Sequence, residues 1–303
     1  MLSTRVLHYT ATELLFECKT SYRCECLPER KAYPTTPSLI PKAVASKNIN
    51  AVWDAWQRIV EKYSARDLTV PGDKFPAISG IASKIRKATH SEYMAGLWKG
   101  NLASDLLWSA SPLVSTNANH FALETWRAPS FSWASLDTAV TYTQLDDEER
   151  ETFTPQISLL AASVLPKGLN SMGTLSKASI TVRGPVTAAT LCSEQSRGSW
   201  AYMLLIKGTS TISITADCLL VDTYFKAEEG GEQKTVRRAQ LGDSLRNFTA
   251  PVLCLSVARY DNLLAGIVLG MSERQPVAWE RIGTFAAGTE AMQNTKEKEM
   301  ILV

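Results

Sequence analysis

The spacing of apolar residues changes once along the chain. In the first 126 residues they recur at helical intervals, and from about residue 138 they alternate or run in strand-length blocks. Ile49, Val52, Trp53, Trp56, Ile59, Val60 and Tyr63 fall at offsets 0, 3, 4, 7, 10, 11 and 14, the stripe of an amphipathic helix. Asn48 is placed to cap it, since its side chain can accept from the free amides of the first turn. The two tryptophans are read as a buried face rather than a ligand box. A second helix is expected over Lys74–Ala88, capped by Asp73 and with Pro76 in its first turn. Its apolar side is Ile78, Ile81, Ala82 and Ile85, with Lys84, Arg86 and Lys87 solvated near its C-terminus. Gly80 within it suggests a close approach of another element. Ser91–Trp98 and Ser104–Trp108 read as two short helices separated by Gly100.

Strand candidates follow in series: Ile157–Val164, Ser179–Val182, Tyr202–Ile206, Thr211–Thr215, Cys218–Val221, Val252–Val257, Leu264–Leu269 and Val277–Phe285. Ala178, Ile180 and Val182 alternate with Ser179 and Thr181, which marks one wet face. Cys218–Val221 and Val252–Leu255 are continuously apolar, as central strands are. Glu228–Glu232 is a turn signal, and Asp146–Glu151 a solvated charge run. Many short strands separated by turns predict an antiparallel barrel or sandwich. At the N-terminus, Val6–Tyr9 and Leu14–Cys18 read as a hairpin across Thr10–Glu13, followed by a loop rich in proline at 28, 34, 37 and 41. The fold class expected is α+β, a helical N-terminal half packed on a C-terminal antiparallel β barrel or sandwich. Its divisions are 1–48 (hairpin and proline-rich loop), 49–126 (helical), 127–288 (β-rich) and 289–303 (polar tail).

Between the halves lies Arg127–Asp137. Pro129 discourages helix, and in an extended chain the rings of Phe131 and Trp133 would face one side, with Ser130, Ser132 and Ala134 on the other. Arg127, Pro129, Phe131, Trp133 and Asp137 are thus expected to form a structural anchor between the layers. Asp137 suits a turn of the chain without a catalytic role.

Composition bounds the function. The 303 residues are 45% hydrophobic and 20% charged, as in a globular protein. The formal net charge of +2, with scattered Lys and Arg, carries no nucleic-acid or anionic-membrane footprint. Val252–Met271 is the most apolar later stretch, but Arg259, Asp261 and Asn262 at its centre make it two strands and a turn rather than a membrane span. No secretory leader is evident. Six cysteines without one point to reduced thiols and a cytoplasmic location, and make the Asn247-Phe248-Thr249 sequon accidental.

Chemical motifs are sparse. Cys18, Cys24 and Cys26 near His8 raise zinc, but the close pair is C-x-C with no second pair, so no metal is assigned. His8, His90 and His120 are far apart and accompany no G-x-S-x-G, H-E-x-x-H or P-loop. Gly168 with Gly173, and Gly266 with Gly270, form no dinucleotide fingerprint, and no cofactor is assigned. Glu13 and Glu17 read as exposed or cross-strand-paired carboxylates. No catalytic residue is assigned.

Several segments in order resemble fungal heterokaryon-incompatibility (HET) proteins, in the region that follows their signature domain. They are Leu2–Tyr9 leading to Glu13–Cys18, then Ile59–Thr69, Asp73–Ala82, Tyr93–Trp98 with Leu106–Trp108, Arg127–Ser135, and finally Trp279–Phe285. The run Arg127-Ala128-Pro129-Ser130-Phe131-Ser132-Trp133 is the most specific, with Phe131 where the family more often has Trp. The resemblance implies a cytoplasmic, non-enzymatic regulatory or interaction protein of non-self recognition, lacking most of the N-terminal signalling domain. A protein partner is expected, such as a full-length family member. The alternative is a pocket-based, cyclase- or isomerase-like enzyme of fungal secondary-metabolite biosynthesis, for which a small-molecule ligand would be needed.

Overall fold

Helix begins earlier than the proline content predicts. The computed structural model describes residues 5–9, 14–18, 22–24, 36–111, 121–196, 199–208, 211–226, 232–275, 277–292 and 295–303. In place of a loop through residue 41, helix α1 covers Thr36–Ala45. The residue at 37 lies in the first turn, where a missing amide forfeits nothing, and Pro41 forfeits one bond. Burial of Ile40 and Ala43 against helix α2 (Ile49–Ser64) offsets that loss. The two other prolines of that loop, at 28 and 34, lie outside the described residues, as does the 10–13 turn. The flanking strands Arg5–Tyr9 and Leu14–Cys18 do pair antiparallel, and Tyr22–Cys24 adds a third strand.

Helix α2 forms on the predicted stripe. The Asn48 side chain accepts from the Asn50 amide at 3.0 Å, and Val52, Trp53, Trp56, Ile59 and Val60 are buried. Helix α3, Lys74–Thr89, likewise buries Ile78, Ala82 and Ile85. Asp73 makes no capping bond, because a 3-10 turn at Pro71–Asp73 delivers the chain already coiled. Nor does Gly80 admit a neighbour, since a Cβ there would meet nothing within 4 Å. Residues 91–98 are not helical. Tyr93–Met94 and Leu97–Trp98 form a tight hairpin whose two turn residues, Ala95 (φ 52°) and Gly96 (φ 96°), are both left-handed. Helix α4 is the single turn Leu102–Asp105. The charge run forms helix α5, Asp147–Thr152, exposed and closed by a capping box between Asp146 and Glu149.

All eight predicted strands are present, but they build neither a sandwich nor a closed barrel. Nine strands make one large sheet, antiparallel apart from a single parallel bridge between Trp279 and Leu302. Its long element, Leu175–Ser196, pairs with Ser158–Pro166 and Lys296–Leu302 in its first half. In its second half it pairs with Ser199–Leu205 and Phe248–Tyr260. The sheet curls so far that Ile212–Ala216 pairs with Trp279–Gly288, yet the first half of the long strand runs on outside the curl. The expected polar tail is part of this sheet, because its last residues alternate inward: Met300 and Leu302 are buried. Leu220–Lys226 is not central; it pairs with Glu232–Arg238 alone, across a turn at 227–231 that lies outside the described residues. That hairpin lies against the sheet at Gly270, where a Cβ would come within 1.9 Å of the Val236 carbonyl oxygen.

Two apolar cores result. One lies inside the curl and includes Leu191, Leu204, Val252, Cys254, Val268 and Phe285. The larger is shared between the layers: Trp56, Ile78 and Trp98 from the helical half, Phe131 and Trp133 from the junction, Ile180, Leu255 and Leu302 from the sheet.

Candidate functional site

The junction is not an extended ribbon with one wet face. Phe131, Ser132, Trp133 and Ala134 are all 0% exposed, and Ser130 is buried too. Local chemistry bends it: the Ser132 hydroxyl accepts from the Ala134 amide at 3.1 Å and starts a 3-10 turn at Trp133–Ser135. Arg127 then closes the loop on itself. Its guanidinium donates to the carbonyls of Ala134 (2.8 Å), Leu136 (2.9 Å) and Pro71 (3.2 Å), and to the Asp137 carboxylate at 2.7 Å. Lys74, at the start of α3, donates to the same Leu136 carbonyl at 2.6 Å and to Asp137 at 3.1 Å. Burial would raise the Asp137 carboxyl, but the Arg127 hydrogen bond and the two cations beside it hold it below its ordinary value. Burial also lowers Lys74, against the pull of Asp137.

Both aromatic residues of the junction are pinned to the helical half. Trp133 Nε1 donates to the Gly96 carbonyl at 3.1 Å, sharing it with Trp56 Nε1 at 3.2 Å, and its ring meets Tyr63 and Phe75 edge-on. The Phe131 carbonyl accepts from Trp108 Nε1 at 2.9 Å. Buried Pro129 lends its carbonyl to the Ser132 amide at 3.0 Å.

Beneath the junction sits an ionic cluster that sequence reasoning missed. Asp217, fully buried, accepts from Arg238 at 2.6 Å and from Arg281 at 2.8 Å. Arg281 lies 3.4 Å over the Trp108 ring and also donates to the carbonyls of Leu106 and Trp108. Arg238 donates to Ser135 Oγ and the Ser130 carbonyl, both at 2.8 Å. Burial pushes the Arg281 guanidinium down to about 10, opposed by Asp217, so it stays charged at neutral pH. The three partners lie 21 and 43 residues apart or more, and none carries a periodicity signal. Only the placement of Arg281 within a strand block, where a charge needs a partner, pointed to it.

One open groove borders this junction and a second lies away from it. The first, of about 460 Å³, has Arg127, Ser130, Ser135 and Arg238 on its floor and Lys177 and Arg274 on its rim. Arg237 there is held by Asp243 at 2.7 Å and by Glu273 at 3.5 Å. Lys177 and Arg274 are exposed. The other, about 980 Å³, runs between the start of α2, the end of α3 and the first sheet strands, past Ile49, Trp53, His90, Asn101 and Phe153.

No protein-family model, curated protein or solved structure matches the chain. Its chemistry is therefore read from its own residues. His90 caps α3 in a left-handed conformation and lines the larger groove. His120 and Cys26 lie outside the described residues, as do Glu13 and the side chains of His8, Glu17, Cys18 and Cys24, so the zinc question falls there. Among the described residues no three metal-ligating side chains converge. Burial pushes the Cys218 and Cys254 thiols up to about 12, which keeps them protonated and poorly nucleophilic. No described helix is long and apolar enough to cross a membrane.

Proposed function

We propose that the chain is a non-enzymatic regulatory or interaction protein of the heterokaryon-incompatibility type, and that it docks an acidic segment of a protein partner along the groove beside Arg127–Asp137. The observation that carries this reading is the division of charge at the junction. Below the surface, each cation is ion-paired, though two share each carboxylate: Arg127 and Lys74 on Asp137, Arg238 and Arg281 on Asp217. On the rim, Lys177 and Arg274 point into an open channel with no ion pair among the described residues. A rigid floor with more cations than carboxylates, under two rim cations that make no ion pair among the described residues, suits capture of a carboxylate-bearing segment, because the floor need not reorganise and rim charges speed encounter. The family resemblance supplies the context, with a full-length HET protein as the natural partner.

The test is co-precipitation with a full-length HET protein, alongside native mass spectrometry of the chain purified from fungal extract. Capture that is lost in Lys177→Glu/Arg274→Glu, with the melting temperature unchanged, is the expected result. A stoichiometric small molecule with no protein partner would instead make the chain a pocket-based enzyme of secondary metabolism.

A further inference from the structure

The strand Ser158–Pro166 stands at a free edge of the large sheet. It pairs with Leu175–Ser196 on one side only, and that strand is its sole extensive contact among the described elements. Its sequence, Ser-Leu-Leu-Ala-Ala-Ser-Val-Leu-Pro, contains no charge. Edge strands carry a row of unpaired amides and carbonyls, and proteins that stay monomeric usually guard them with lysines, prolines, brevity or strong twist.

The other margins of the β half are guarded. The outlying hairpin carries Asp222, Lys234 and Arg237, and Thr154–Pro155 is two residues ending in proline. Lys296–Leu302 opens with four alternating charges. Ser158–Pro166 is longer than these and is irregular only at its ends: near its start Thr181 faces Ala161 while Val182 faces Leu159, leaving Leu160 as an extra residue, and at its end, beside the terminal proline, Leu175 faces Pro166 while Lys177 faces Leu165. Between these irregularities 161–165 pair in unbroken register. There Ala161, Ser163 and Leu165 face outward, and Leu165 is 52% exposed.

We propose that Ser158–Pro166 is a self-association edge, pairing antiparallel with the same strand of a second copy of this chain. An uncharged edge is matched best by another uncharged edge, since a charged strand would lose hydration there without a counter-ion. A two-fold axis at Ser163 sets Ala161 opposite Leu165 and Ala162 opposite Val164, small against large, with the two Ser163 hydroxyls facing each other. The five residues 161–165 paired in this way cover less than the roughly 1,200–2,000 Å² of a stable interface. The dimer is therefore weak and strongly concentration-dependent.

Sedimentation velocity over a concentration series tests this on the full chain. A monomer–dimer equilibrium is expected, weakened about tenfold or more by Ser163→Lys, which opposes two like charges across the axis. Ser163→Cys under mild oxidation is expected to give a dimer whose cross-link maps by mass spectrometry to position 163 in both copies. Circular dichroism confirms that each variant is folded. A chain that is monomeric throughout and yields no 163–163 cross-link overturns the proposal. So does a dimer that Ser163→Lys leaves intact, and so does a monomer that pairs this edge with an added extended peptide instead.

Discussion

The Trp133 indole fills core space and also donates to Gly96 across the junction. Its replacement by Ala leaves a cavity and removes one of the two indole donors to that carbonyl, so a loss of about 3–5 kcal/mol is expected. Chemical denaturation would show it, and an unchanged midpoint would mean the ring is not an anchor. Asp217 carries a different liability. Asp217→Asn removes the single charge that two buried guanidiniums share, and breaking a buried pair this way costs about 3–5 kcal/mol. Asp105 reports through pH. It is fully buried and accepts from Gln57 (3.0 Å), the Trp98 amide (2.8 Å) and Asn101 (2.8 Å). Burial outweighs these bonds and raises its carboxyl from 3.8 to about 7. The folded chain therefore holds this proton more tightly than the unfolded chain, a contribution fully present below pH 3.8 and lost as pH rises through about 7. Urea midpoints measured from pH 4.5 to 8 should fall more steeply in the native chain than in Asp105→Asn. Parallel curves would refute the assignment.

Elements differ in how plainly the chain announces them. The stripe from Ile49 to Tyr63 fixes α2 because a single face is buried and the repeat is long. The strand blocks were legible for the same reason, their inner faces being apolar. Helix α1 was hidden by its prolines, whose cost is local while the compensating burial of Ile40 and Ala43 is tertiary. The 93–98 hairpin was hidden because its six residues are too few for a period and almost wholly apolar, so its strands and a helix turn look alike. Only Gly96 marked it. At φ 96°, an added Cβ there would be strained and would lie 2.6 Å from Trp133 Nε1. Gly96→Ala should therefore cost about 1 kcal/mol or more from backbone strain and about 1–3 kcal/mol from overpacking. A thermal melt checks this, and a loss below 1 kcal/mol would show that the hairpin can shift away.

At the scale of the molecule, the helical and β-rich halves separate cleanly in sequence and not at all in packing. The larger core draws on both, and the Arg127–Asp137 junction bonds to both: Trp133 to the hairpin, Ser130 to the Val303 carbonyl and the Arg281 amide. This was only partly legible, because a junction reads as a boundary when its neighbours in space are 37 to 173 residues away. The family-like run Arg127–Ser135 is thus held in place by what it binds within the fold, and the rim cations that we assign to function lie outside it. Neither half buries its apolar face alone, so the two should melt together. Tryptophan fluorescence, dominated by the larger core, and far-ultraviolet circular dichroism should give coincident thermal transitions. Separately expressed 36–126 and 127–303 should each lack a cooperative transition, and recover one only when mixed. Two well-separated transitions in the intact chain, or a cooperatively folding fragment, would show that the halves are independent domains and that the junction is a linker.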